Sequence, residues 1–142
     1  MLYQLSYPGD VRKHNIYPYA LYTCRMEGLP HYKKEIRPWG DFERFTLNEK
    51  TTVKIITVNE GESISLQTHE HRDEFWRVLS GSGVIRIGTT DHEAHEGSAF
   101  FCPRHEEHRV TGGKRGTVFL EIAFGDFDEK DIERLEDRYG RA

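Results

Sequence analysis

Between Thr51 and Gly125 the chain is a succession of short β-branched or alternating runs: Thr52 to Val58, Ser63 to His71, Phe75 to Leu79, Gly83 to Ile87, Ser98 to Cys102 and Thr117 to Phe124. Glycines and polar residues punctuate them at regular intervals, as in a sandwich or barrel. The pattern changes at Asp126. Asp126-Phe127-Asp128-Glu129 offers a capping-box-like start, and Ile132, Leu135 and Tyr139 recur at helical spacing before Gly140, so one short C-terminal helix is expected to pack on the barrel. Residues 1–36 differ from both regions. Six of the seven tyrosines fall there, and Pro8, Pro18 and Pro30 cut the segment into short pieces, which reads as an irregular arm. The pattern therefore predicts an all-β chain: an N-terminal arm over 1–36, then one barrel domain with a C-terminal helix over 37–142.

One run carries chemistry. In Ser63 to His71, alternation places Ser63, Ser65, Gln67, His69 and His71 on one face and Ile64, Leu66 and Thr68 on the other. By alternation alone the apolar face is the core side and the histidines are wet. Against this, His71 to Glu74 is three steps, so a tight connection at Arg72-Asp73 ends one strand and lets Glu74 turn back toward the histidines. A closed barrel holding a ligand would also line its interior with polar groups. Two histidines at i and i+2 on a strand stand roughly 6.5 to 7 Å apart at Cα, close enough to share one ion. His69, His71 and Glu74 are thus a candidate metal shell, with a polar strand edge as the competing reading.

Composition narrows the partners. With 142 residues the chain fits one domain, and 36% hydrophobic with 12% aromatic residues is globular rather than disordered. The formal charge of -4 gives no reason to expect nucleic acid. Cys24 and Cys102 lie far apart with no CxxC, as in a reduced, cytoplasmic protein. The first ten residues lack an apolar signal core and no apolar run reaches membrane-spanning length, so neither secretion nor a membrane is expected.

Gly61, His69, His71, Glu74 and Gly81 together resemble the first motif of the cupin superfamily, and Gly97-x5-Pro103-x4-His108 resembles the second. The resemblance implies a cupin barrel, that is a double-stranded β-helix or jelly roll, with His108 completing a metal site of His69, His71, Glu74 and His108. Arg37-Pro38-Trp39-Gly40, the run from Gly61 to Gln67, His71-Arg72-Asp73-Glu74-Phe75-Trp76 and the tail Asp131 to Arg141 are similar to type II mannose-6-phosphate isomerases. In that family the module usually follows a mannose-1-phosphate guanylyltransferase domain, whose glycine-rich signature is absent here. Three departures bear on substrate: His105 replaces a glycine, Phe75 stands where histidine is frequent, and Ala123-Phe124 replaces a more polar pair.

The resemblance implies an aldose-ketose isomerase of polysaccharide biosynthesis. It would interconvert mannose 6-phosphate and fructose 6-phosphate through an enediol, with one divalent ion: zinc first, or manganese, iron, cobalt or nickel. For the base, Glu121 alternates against Val118, Leu120 and Ile122 and could face the interior, while His105 is a second candidate. Gln67, on the face of His69, could bind the metal or a substrate hydroxyl. For the phosphate, Arg37, Arg72, Arg104, Arg109, Lys114 and Arg141 are the available cations. Trp76, in phase with Glu74 and Val78, is expected to line the barrel as core. A homodimer is expected, with the arm exchanged onto a neighbour or capping the mouth. Two alternatives stand beside the isomerase: a non-catalytic sugar-binding or regulatory cupin, and a metal-dependent dioxygenase, since the same ligands hold iron.

Overall fold

A computed structural model of the chain describes residues 28–141. Its strands are β1 (Lys33–Arg37), β2 (Gly40–Arg44), β3 (Thr51–Val58), β4 (Leu66–Thr68), β5 (Asp73–Ile87), β6 (Thr90–His95), β7 (Ala99–Cys102), β8 (His108–Phe124) and β9 (Glu133–Glu136). Every pairing among them is antiparallel. No helix among the described residues is long and apolar enough to cross a membrane. The arm's proposed capping or exchange falls on residues 1–27, outside the described residues. Its last part does not: β1 pairs with β2 from Lys33↔Arg44 to Arg37↔Gly40, so the hairpin straddles the boundary expected at residue 37.

Two strands organise everything else. The first half of β5 pairs with the second half of β8, from Asp73↔Phe124 to Gly81↔Thr117, and the second half of β5 pairs with the first half of β8, from Gly83↔Gly112 to Ile87↔His108. β3 and β7 flank the first pair, while β6, β4 and β9 flank the second. One hydrogen-bonded network thus folds over on itself into two layers. The bend needs glycine: Gly81 has φ 80° and a Cβ there would stand 2.2 Å from the Gly116 carbonyl oxygen. The runs expected separately at 75–79 and 83–87 are therefore one bent strand.

The core lies between the layers. Val58, Trp76, Val78, Phe100, Cys102 and Phe119 from the first layer meet Ile85, Ala94 and Val110 from the second. A second cluster, Leu29, Phe75, Ala99 and Ile122, lies on the outer face of the first layer beneath Tyr32 and Phe45. β5 consequently buries both faces at its start, which leaves Glu74 and Trp76 inward and Phe75 outward.

The C-terminal helix does not form, and this corrects the reading of helical spacing in the tail. Residues Glu133–Glu136 are strand β9, paired with β4 at Leu66↔Glu136, Gln67↔Arg134 and Thr68↔Glu133. β4 would otherwise present an open edge, and satisfying its backbone outweighs the weak local preference of a charged tail. The capping-box-like stretch makes a turn instead, with the Lys130 N–H donating to Asp128 Oδ1 at 2.9 Å.

Candidate metal centre

Three strand ends converge between the two layers. Glu74 is the second residue of β5, His108 the first of β8, and His69 follows directly after β4. Their side chains are all buried, and their ligand atoms all lie within 4.8 Å of one another. His69 Nε2 stands 3.1 Å from Glu74 Oε1, and His108 Nε2 stands 3.6 Å from Glu74 Oε2. Each ring is held from behind. His69 Nδ1 lies 2.5 Å from the Asp131 carbonyl oxygen and His108 Nδ1 lies 2.8 Å from that of Glu106. A carbonyl accepts only, so each neutral ring carries its proton on Nδ1 and turns the Nε2 lone pair toward Glu74.

The charges agree with that arrangement. Burial lowers the pKa of His108 to about 4 against the pull of Glu74, so the ring is neutral at pH 7. Burial opposes ionisation of Glu74, but the Arg72 guanidinium, whose Nε–H donates to Oε1 at 2.8 Å, favours the carboxylate and holds the carboxyl below its usual range. Glu74 Oε2 and His108 Nε2 are both buried and both lack a hydrogen-bond partner. Two acceptors facing each other with no donor between them call for a cation. Two imidazole nitrogens and a carboxylate suit zinc, and also manganese, iron, cobalt or nickel.

His71 is not part of this group. β4 ends at Thr68, and the Glu70 and His71 N–H groups donate to the two carboxylate oxygens of Asp131 at 2.9 and 3.2 Å. The turn they make abandons strand alternation, so His71 is exposed and Arg72 is carried inward instead. Arg72 is fully engaged there. Nε donates to Glu74 Oε1 at 2.8 Å, Nη1 donates to the Asp128 and Asp131 carbonyls at 3.0 and 2.7 Å, and Nη2 lies 3.2 Å from His69 Nε2. Gln67 shares this face: Ser65 Oγ donates to its Oε1 at 2.8 Å, and its Nε2 lies 3.4 Å from His69 Nε2. Trp76 packs edge-on against His108, as core.

Glu121 faces the same interior, opposite Trp76 on β5 and Lys54 on β3. Burial, then the negative charge of Glu74, raises its pKa to about 7, with Lys54 and Arg72 opposing. Lys54 Nζ stands 3.9 Å from Glu121 Oε1, 2.9 Å from Glu129 and 4.2 Å above the Phe127 ring. Sequence reasoning passed over this lysine, although its phase with Ile56 and Val58 in an otherwise apolar run was visible. His105 has φ 67°, which suits the glycine it replaces; its N–H donates to the His69 carbonyl, while its imidazole is exposed beside Glu70. Phe75 and Phe124 belong to the outer cluster rather than to the site, and Ala123 pairs with Glu74.

The other expected cations lie apart from the centre. Arg37 pairs with Glu35 on the hairpin, Arg104 with Asp73 at 2.9 Å, and Arg109 with Glu136 at 2.8 Å. Lys114 is exposed near the bend of β8. Arg141 pairs with Asp137 at 2.6 Å and borders a cleft of about 420 Å³ with Glu62, Ser63 and Tyr139.

Comparison with known proteins places these features in context. A family model described as mannose-6-phosphate isomerase C-terminal matches residues 26–137. Xanthan biosynthesis protein XanB of Xanthomonas campestris is 36% identical over 119 residues, covering 82% of this chain and 25% of that protein. Mannose-1-phosphate guanylyltransferase ManC of Salmonella typhimurium is 35% identical over 114 residues, covering 78% and 24%. The chain thus spans about a quarter of the length of these curated relatives. In fold it is similar to the crystal structure of a cupin protein from Bacteroides fragilis, with a TM-score of 0.51 and 21% identity over 58% of this chain and 72% of that one.

Proposed function

The chain belongs to the mannose-6-phosphate isomerase C-terminal family and has a cupin fold, and from that premise we propose that it is a metal-dependent isomerase interconverting mannose 6-phosphate and fructose 6-phosphate. The observation that carries the reading is the neighbourhood of two different functions in one interior between the layers. His69, Glu74 and His108 form a donor set suited to a divalent ion, and Glu121 is a separate buried carboxyl poised near neutrality.

Three residues would hold the ion, and when bound it supplies positive charge that favours the oxygens at C1 and C2 as they become anionic. Glu121 performs the proton transfer. As a carboxylate it takes the proton from C2 of the open-chain aldose; the C2–H electrons form the C1=C2 bond as the C1=O π pair moves onto O1, the O2 proton passes to O1, and as C2=O re-forms the C1=C2 pair takes the proton back from Glu121 at C1. A pKa near 7 suits both directions, because neither form of Glu121 is scarce at neutral pH. Gln67, whose Oε1 accepts from Ser65 Oγ, would bond a sugar hydroxyl. Trp76 excludes water from the back of His108. The names of the relatives suggest the pathway class: an isomerase here would supply mannose phosphate to polysaccharide biosynthesis.

The test is direct. The purified chain loaded with Zn2+, Mn2+ or Co2+ and given mannose 6-phosphate yields fructose 6-phosphate in a coupled assay; no turnover of any aldose or ketose phosphate with any of these ions refutes the proposal. One observation favours a non-catalytic sugar-binding role: Arg37, Arg72, Arg104, Arg109 and Arg141 are each held in an ion pair, so no arginine of that set is uncommitted for a phosphate. Calorimetry that finds sugar binding without turnover, unchanged in Glu121→Gln, supports that second role.

A further inference from the structure

The segment between β8 and β9, residues 125–132, crosses the barrel beside the centre and contributes none of the three donors. Its residue Asp131 nevertheless touches every part of the turn that carries His69. The main-chain carbonyl accepts from His69 Nδ1 at 2.5 Å and from Arg72 Nη1 at 2.7 Å. The carboxylate accepts from the Glu70 N–H at 2.9 Å through Oδ1, and from the His71 N–H at 3.2 Å and Arg72 Nη1 at 3.4 Å through Oδ2. The side chain is only 8% exposed, so water competes little for these donors. One residue of the tail therefore fixes the tautomer and orientation of His69, the path of the two residues after it, and the arginine that braces Glu74.

We infer that Asp131 is the positioning residue of this centre: by clamping the turn at 69–72 it aims the His69 Nε2 lone pair at the ion site without touching the ion itself. The inference rests on the metal reading above. It gives the tail segment a role in the centre beyond edge pairing, because a metal-bound histidine binds best when its remote N–H is held by a fixed acceptor. The two contributions of Asp131 separate in experiment. Substitution removes the carboxylate and frees the turn, whereas the carbonyl stays in the chain.

Co2+ alone is the probe, titrated into the full chain and followed by visible absorption, with thermal midpoints of each metal-free protein measured alongside. Asp131→Ala lowers Co2+ affinity by about tenfold to a hundredfold and alters the absorption spectrum of the bound ion. Asp131→Asn, which keeps one acceptor oxygen for the turn, recovers part of the loss. Asp137→Ala, in the same tail but paired with Arg141, leaves affinity and spectrum unchanged. Wild-type affinity and spectrum in Asp131→Ala overturn the inference while the metal reading stands, and so does an equal loss in Asp137→Ala. A wild-type chain that takes up no Co2+ overturns the metal reading, and the positioning role with it.

Discussion

Replacing Lys54 with methionine removes one charge and keeps most of the stem that packs on Phe127. In the wild type the ammonium stands 3.9 Å from Glu121 Oε1. A unit pair at that distance is worth about 4 kcal/mol at an effective dielectric near 20 and about 1 kcal/mol in bulk water. The Lys54 side chain is 32% exposed and Glu129 competes for it at 2.9 Å, so the lower end applies. About 1.4 kcal/mol corresponds to one pKa unit, so about 1 kcal/mol raises Glu121 by roughly 0.7 of a unit above its value of about 7. At pH 7 roughly half of the wild-type carboxyl is ionised against about a sixth in the variant, a loss of about threefold in kcat/KM. On the isomerase proposal the two proteins converge at pH 9, because Glu121 is then ionised in both. The assay is the pH profile of kcat/KM for mannose 6-phosphate, read at the acid limb. A limb that stays in place, or a loss of equal size at every pH, refutes Glu121 as the base whose charge Lys54 supports.

Further outcomes follow from the same geometry. His69→Ala and His108→Ala abolish stoichiometric metal uptake, measured by elemental analysis, whereas His71→Ala retains it because that ring is exposed; loss of metal in His71→Ala would restore the four-ligand set that the resemblance implies. Glu121 has a folded pKa above its unfolded value, so its contribution favours the fold below about pH 4.5 and is lost as pH rises toward 7. The stability advantage of Glu121→Gln over wild type therefore grows from pH 5 to pH 8 in thermal melts, and a constant difference contradicts the buried, neutral acid. His108 acts oppositely: its pKa is lowered to about 4, so the stability it lends is present above about pH 6.5 and is lost as pH falls toward 4, which His108→Gln removes from the acid side of the curve. Gly81→Ala costs roughly 1–3 kcal/mol in denaturant titration, from a left-handed φ and a Cβ driven against the Gly116 carbonyl; a wild-type midpoint would mean the bend relaxes.

Local signals found what is local. β3 follows the run at Thr52 to Val58 within a residue, and the inward phase of Glu74, Trp76 and Glu121 was visible as alternation. The errors arise where a distant element decides. The tail's Ile132, Leu135 and Tyr139 repeat every three or four residues, yet β4 needed an edge partner and drew Glu133–Glu136 into a strand. His71 keeps step with His69 only if the strand continues, and the Asp131 carboxylate, sixty residues away, ends it. The resemblance to the family supplied His108, whose place beside His69 depends on the β4–β8 pairing Gln67↔His108, which no window of sequence contains. Lys54 was legible in phase but had no chemistry until Glu121 lay across from it.

β5 and β8 each belong to both layers, and this has a kinetic consequence. Neither layer is a separable unit, since removing one strips a strand pair from the other. His69, Glu74 and His108 come from the termini of three strands, joined by pairings far apart in the chain, so they meet only after both long strands have bent and closed. Such topology folds slowly, because the closure entropy is lost before the contacts form. On the metal-binding proposal, capture of the ion is then a clock for the last step of folding: the binding signal in a refolding experiment lags the appearance of β structure and arrives with the burial of Trp76.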